Sequence, residues 1–218
     1  MWHAPLDSVR RVLCLGAHSD DIEIGAGATL LKLVRQIPDL EVYWMVFSAP
    51  GPRAEEATRS ADEFLSGAAR KKVKIGSFRE SYFPSEWPSI KEWYEEIRRS
   101  SILTSSSPIT EMIGIRITVF CPIGVEHVQE SSNPGVRNSN LKYDRDLGRP
   151  NVFAPISEQL WARKIELLLK HFKSQSSKHW FSSASFAAMH RIRGVECVSV
   201  TGRAEVFYYR KMDPEGTR

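Results

Sequence analysis

The sequence lacks the features that mark secreted, membrane-spanning and nucleic-acid-binding proteins. It has 3 cysteines in 218 residues, and this odd, scattered set favours free thiols in a reducing cytoplasm over a disulfide framework. No apolar run is long enough to cross a bilayer, and the N-terminus has no apolar core of the kind that signal peptides carry. The net charge is only +4, and the basic residues form no stripe. We therefore expect a cytoplasmic protein that binds neither membranes nor nucleic acids.

The segment that organises the chain is VLCLGAHSDDIEIGAGATLLKLV, from Val12 to Val34. Its apolar start has no helical periodicity, which is typical of a buried parallel strand. The strand is predicted to stop at Gly16, and a polar cluster follows before small residues lead into an amphipathic helix. The cluster consists of His18, Ser19, Asp20, Asp21 and Glu23. It is thus placed at the carboxyl end of a strand, where ligands bind in open α/β sheets.

The composition of this cluster favours a metal site. One imidazole and three carboxylates within six residues would repel one another unless a cation lay between them, and zinc accepts His with Asp as ligands. Two other interpretations compete. The glycines of GAGAT suggest a dinucleotide loop, but the third glycine of GxGxxG is missing and the acids would repel a pyrophosphate. A solvated loop with one capping Asp explains neither the adjacent pair of Asp residues nor the His.

The rest of the chain continues an alternation of buried strands and amphipathic helices. Strands are predicted in LEVYWMVFSA, in Lys72 to Ile75 and in AEVFYYRK. Helices are predicted in RAEEATRSADEFLSGAA, within FRESYFPSEWPSIKEWYEEIRR, from Ile156 to His171 and from Phe186 to Arg193. No repeat or linker divides the chain. We therefore predict that residues 1–218 form a single Rossmann-like α/β domain, with a mostly parallel sheet and helices on both faces.

AHSDDIEIGAGATLL resembles the AHPDDxExGxGGTL signature of the LmbE-like, or PIG-L-like, N-acetylglucosaminyl deacetylases, which are zinc hydrolases that remove acetate from N-acetylated sugars and their conjugates. The resemblance implies that His18 and Asp21 are ligands of Zn2+ and that Asp20 is the general base. It also implies a small N-acetyl sugar as the substrate, and a homo-oligomer is compatible with it. The segments DLGRPN and SKHWF extend the likeness to a subgroup of this family.

A loop after the second predicted strand carries part of another family pattern. GxRxxE is present as Gly51, Arg53 and Glu56, and family members often use an Arg at this loop to hold the sugar. Arg53 is therefore a candidate for substrate binding through forked hydrogen bonds. A surface arginine at the start of a helix is the alternative interpretation.

Residues 102–140 depart from the family pattern. A strand ending in H-x-D-H is expected there, with the last His completing the metal site, but the motif is absent while the flanking similarity is intact. A reading-frame slip accounts for this, since a suitable choice of codons from Glu111 to Phe120, read two bases later, encodes H-x-D-H. A divergent insertion is the alternative. His127 or Glu130 of VEHVQE would then have to replace the third ligand, although no spacing supports either.

The absence of the H-x-D-H motif from residues 102–140 determines what we expect of this chain. We expect the segment to be irregular or poorly packed, and the hydrolase to be impaired, because catalytic zinc normally has three protein ligands. The competing hypothesis is a catalytically dead family member that binds a sugar or a metal weakly.

Overall fold

The computed structural model describes residues 9–101, 114–119, 135–138 and 148–209. Within these ranges the chain forms seven strands and five helices. The strands are β1 (Arg11–His18), β2 (Glu41–Ser48), β3 (Arg70–Ile75), β4 (Gly114–Val119), β5 (Gly135–Asn138), β6 (Val152–Pro155) and β7 (Ala204–Tyr209). The helices are α1 (Asp21–Gln36), α2 (Pro52–Phe64), α3 (Trp87–Ser101), α4 (Glu158–His171) and α5 (Ser183–Glu196). The predicted strands and helices outside residues 102–140 are confirmed, with boundaries shifted by a few residues.

The strands form one sheet in the order β3-β2-β1-β4-β5-β7-β6. The pairings from β3 through β5 are all parallel, and β7 runs antiparallel to both of its neighbours. The prediction of a mostly parallel sheet is therefore confirmed. β1 lies at the centre of the parallel part, and its last residue, His18, is in register with Ser48 at the end of β2.

Side chains of β1 and β2 alternate between two buried layers, as the period of a strand requires. On one face Val12, Cys14 and Trp44 pack with residues of α1, α2 and α4. On the other face Leu15 and Met45 pack with residues of α3. Helices thus cover both faces of the sheet, which confirms the predicted architecture and explains why the central strands are almost continuously apolar.

Part of the 102–140 segment is regular, which corrects one expectation. β4 pairs with β1 from Arg11↔Gly114 to Gly16↔Val119, and β5 pairs with β4. Irregular structure is therefore wrong for these six and four residues. Alternating β-branched residues in GIRITV favour a strand whatever the origin of the segment. His127 and Glu130 lie outside the described residues, and the reading-frame hypothesis stays a prediction.

Among the described helices, none is both long and apolar enough to span a membrane.

Candidate active site

The polar cluster lies where β1 passes directly into α1. This turn is tight: a Cβ on Gly16 would lie 2.9 Å from Cγ1 of Ile22, so a glycine is required there. His18 is 1% exposed, and Ser19, Asp20, Asp21 and Glu23 are each 0% exposed. Asp20 occupies the N-cap position of α1 but makes no side-chain capping bond. The solvated capping loop is therefore the wrong interpretation of this cluster.

His18 lies between two carboxylates. Its backbone N–H donates to Oδ2 of Asp21 at 2.8 Å, and its Nδ1 is 3.1 Å from the same oxygen. On the other side of the ring, Nε2 is 3.0 Å from Oε1 of Glu80, whose side chain is 48% exposed. Glu80 begins a short 3-10 turn, Glu80–Tyr82, that follows β3. The Glu80 side is therefore where the buried cluster comes nearest to solvent.

Arg53 reaches the same cluster from α2. The loop after β2 turns at Gly51, whose φ of +59° favours glycine, and α2 starts at Pro52. The Arg53 Nε donates to Oγ of Ser19 at 3.1 Å, and its Nη2 is 3.7 Å from Oδ1 of Asp20. The structure thus places Arg53 beside the predicted general base, and its role in substrate binding stays a prediction.

Glu23 connects the cluster to α2. Ser60 of α2 donates to its Oε1 at 2.6 Å. Burial raises the pKa of the Glu23 carboxyl well above its ordinary value of 4.5, and the charges of Asp20 and Asp21 raise it further, against the lowering by Ser60. The Glu23 carboxyl is therefore easier to protonate than that of an exposed glutamate.

A second buried polar group contacts α1 further along the helix than the cluster. Lys164 of α4 and Glu205 of β7 are 0% and 3% exposed, and Nζ of Lys164 is 2.7 Å from Oε1 of Glu205. Neither residue is predicted from the sequence, and neither is Glu80 as a neighbour of His18. Their signal was weak, because each is a single charged residue in an otherwise ordinary helix, strand or loop.

His18 and Asp21 fit a zinc site in part. Two ligands of a tetrahedral zinc ion are about 3.3 Å apart, and Nδ1 of His18 and Oδ2 of Asp21 are 3.1 Å apart. The described part of the chain offers no group of three His, Cys, Asp or Glu side chains that could hold a metal ion. His127 and Glu130 fall outside that part, so the identity of a third ligand stays open.

The sequence matches no family model and no curated protein, but the structure has clear neighbours among solved proteins. An N,N'-diacetylchitobiose deacetylase from Pyrococcus horikoshii, solved with its inhibitor MPG, superposes with a TM-score of 0.67 at 14% identity, over 97% of this chain and 89% of that one. The A40926 pseudoaglycone deacetylase Dbv21 gives 0.62 at 16% identity, over 91% of this chain and 96% of that one.

A neighbour with a different activity has the same fold. GalB, the 4-carboxy-2-hydroxymuconate hydratase from Pseudomonas putida KT2440, superposes with a TM-score of 0.63 at 13% identity, over 94% of this chain and 99% of that one. The deacetylases among the neighbours belong to the LmbE/PIG-L family, so the resemblance seen in the motif is confirmed at the level of the fold. A fold shared by deacetylases and a hydratase does not by itself determine the reaction, which must be argued from the site.

Proposed function

We propose that this chain is a zinc-dependent hydrolase that removes the acetyl group from an N-acetylated sugar of the N-acetylglucosamine type, or from its conjugate. The observation that carries the proposal is the buried convergence of His18, Asp20 and Asp21 at the carboxyl end of β1. These residues occupy the ligand and base positions of the deacetylase signature. The fold shared with the diacetylchitobiose deacetylase and the A40926 pseudoaglycone deacetylase supports the same class of reaction.

The first role is to hold the metal. His18 and Asp21 would bind Zn2+, which when bound lowers the pKa of a water ligand towards neutrality and polarises the acetamide carbonyl. The bond from the backbone N–H of His18 to Asp21 fixes the carboxylate relative to the imidazole before any ligand arrives. This preorganisation matters because metal ligands work only when their orientation is held.

The second role is proton transfer, which we assign to Asp20. The carboxylate takes a proton from water as the water oxygen bonds to the acetamide carbon. When the C–N bond breaks, the same carboxyl group returns a proton to the departing amine. The products are acetate and a free amino sugar, and no other reactant is required.

The third role is to hold the sugar, which we assign to Arg53. Its guanidinium is 3.7 Å from Asp20, so a substrate that reaches the base also reaches the guanidinium. The five N–H donors of an arginine form a rigid fork that can bond two neighbouring oxygens of a sugar. The exposed Glu80 marks the side from which such a ligand would enter.

The competing function is a catalytically dead member of the same fold that binds a sugar or a metal weakly. It is favoured by the lack of a three-ligand group in the described residues. Zinc content per chain, measured by mass spectrometry after dialysis, separates the two. One tightly bound zinc per chain supports the hydrolase, and no retained zinc supports the dead protein.

The test of the hydrolase compares Asp20→Asn with two other variants. Asp20→Asn should keep its zinc and lose acetate release by roughly 10²- to 10⁴-fold, the usual effect of removing a general base. His18→Ala should lose both zinc and acetate release. The matched control is Asp62→Asn, the same chemical change on α2, where Asp62 forms an ion pair with Lys71 of β3. It should change neither zinc content nor acetate release. Acetate release at the parent rate from Asp20→Asn would show that the base is assigned wrongly.

A further inference from the structure

Lys164 is a lysine with no exposed surface, yet all three of its N–H donors have acceptors. Its Nζ is 2.7 Å from the backbone oxygen of Ile24, 2.7 Å from Oε1 of Glu205 and 2.9 Å from Nε2 of His190. His190 is a neutral acceptor: burial lowers its pKa to about 4, and its Nδ1 lies 2.6 Å from the backbone oxygen of Phe186, to which it donates. The ammonium group is therefore fully satisfied inside the protein, as a buried charge must be.

Glu205 is equally well satisfied, and its partners lie on α1. The backbone N–H of Ala28 donates to its Oε1 at 2.9 Å, and the backbone N–H of Thr29 donates to its Oε2 at 2.7 Å. The Thr29 hydroxyl adds a bond of 2.5 Å to Oε2. Burial by itself raises the pKa of Glu205, but its charged and hydrogen-bonding neighbours, Lys164 first among them, together outweigh burial and hold the pKa below its ordinary value. The carboxylate is thus charged and tied to the backbone of one helix.

These bonds connect the buried pair to the proposed base. The backbone oxygen of Ile24 accepts from Lys164, and the backbone N–H of the same residue donates to the backbone oxygen of Asp20 at 3.0 Å. Two bonds therefore link the lysine to the main chain of Asp20. Glu205 accepts from the backbone N–H groups of Ala28 and Thr29 in the next turn of the same helix, so both residues of the buried pair fix the backbone of α1.

We propose that Lys164 and Glu205 are positioning residues of the site, which hold the first turns of α1 so that Asp20 and Asp21 keep their places at the end of β1. Their effect on catalysis rests on the proposed function, whereas their effect on the order of the loop does not. A pair of apolar residues would fill the same space and stabilise the fold about as well. The charged pair differs in that it makes directed bonds to the peptide groups of α1.

The test removes each charge and compares the result with a matched variant on α2, whose ion-pair partners lie on the same helix as Lys164. Glu205→Gln and Lys164→Met alter the network, and Thr29→Val removes only the hydroxyl bond, as a milder variant that should fold if the others do not. The control is Glu63→Gln, which removes a carboxylate whose hydrogen bonds go to Arg163, Lys170 and His171 of α4. The readouts are amide hydrogen exchange of a peptide covering residues 18–24, Zn2+ affinity, and kcat and KM for acetate release.

Glu205→Gln should raise amide exchange in residues 18–24 by about tenfold or more, the effect of losing a bond to a charged group. It should also weaken Zn2+ binding by about 10- to 100-fold and lower kcat with little change in KM. Thr29→Val should change the same readouts less. Glu63→Gln should change none of them, even if it lowers thermal stability as much as Glu205→Gln does.

Unchanged exchange in Glu205→Gln, relative to Glu63→Gln, would overturn the proposal, and so would raised exchange with unaltered Zn2+ affinity. A wild-type chain that binds no Zn2+ and releases no acetate would defeat the proposed function instead, and exchange would still decide whether the pair orders the loop.

Discussion

A substitution of Gly27 by alanine tests whether the small residues of α1 are required by packing. Gly27 lies inside α1, where glycine is unfavourable by about 1 kcal/mol relative to alanine. A Cβ at this position would lie 2.9 Å from Cε1 of Phe64 and 3.4 Å from Cγ of Lys164. Phe64 is 1% exposed and its ring packs against Trp44, with centroids 6.4 Å apart. The ring therefore has little room to move away.

The expected magnitude follows from two opposing effects. Alanine gains about 1 kcal/mol in helix propensity, while overpacking of a filled core costs about 1 to 3 kcal/mol. Gly27→Ala should thus destabilise the chain by up to about 2 kcal/mol. For a chain of this size, this corresponds to a fall in Tm of up to about 8 °C.

The assay is thermal unfolding of Gly27→Ala, Phe64→Leu and the double variant. If the clash with Phe64 is the cause, the smaller leucine should relieve it, and the double variant should be more stable than the sum of the single effects by about 1 kcal/mol. A Gly27→Ala variant that is more stable than the parent would refute the packing argument. So would strictly additive effects in the double variant.

Two further predictions concern ionisable groups outside the site. The hydrogen bond from Lys170, with those from His171 and Arg163, lowers the pKa of Glu63 from 4.5 to about 2. The stabilisation of the fold by ionised Glu63 is therefore present above pH 4.5 and is lost as the pH falls towards 2. Glu63→Gln should cost about 1 kcal/mol at pH 7, allowing for solvent screening, and far less near pH 2; an equal loss at both pH values in urea unfolding would contradict this. Burial raises the pKa of the Cys14 thiol above its ordinary value of 9.0, so a thiol reagent should label Cys14 only after unfolding. Detection by mass spectrometry of label on Cys14 in the native protein would contradict this prediction.

The sequence predicts the front half of the fold well because its signals are local. The apolar runs of β1 and β2 and the periodicity of α2 and α4 each lie within one stretch of chain. The placement of His18, Asp20 and Asp21 follows for the same reason, since a polar cluster between a strand and a helix must lie at the end of that strand. Helix α1 starts at Asp21, before the small residues that were expected to lead into it. Its glycines lie inside the helix and do not form a loop.

The contacts that complete the site come from distant parts of the chain, and no local sequence pattern predicts them. Glu80 reaches His18 across 62 positions of sequence, and Glu205 reaches Ala28 across 177. Such contacts depend on the strand order, which brings β7 and α4 to the back of α1. A single buried lysine or glutamate looks in the sequence like any solvated one, so Lys164 could not be singled out before the fold was known.

The departures from the deacetylase signature make physical sense in this setting. Ala28 stands where many members of the family have glycine, and its bond to Glu205 uses only the backbone N–H, so the side chain is free to differ. Ser19 stands where many members have proline, and its hydroxyl accepts from Arg53, a bond that proline cannot make. The first change leaves the backbone bond to Glu205 in place, while the second ties the proposed sugar-binding arginine to the residue beside the proposed base. The signature in this chain thus combines acidic and imidazole groups at the start of α1 with a small residue, Gly27, that leaves room for Phe64 and Lys164.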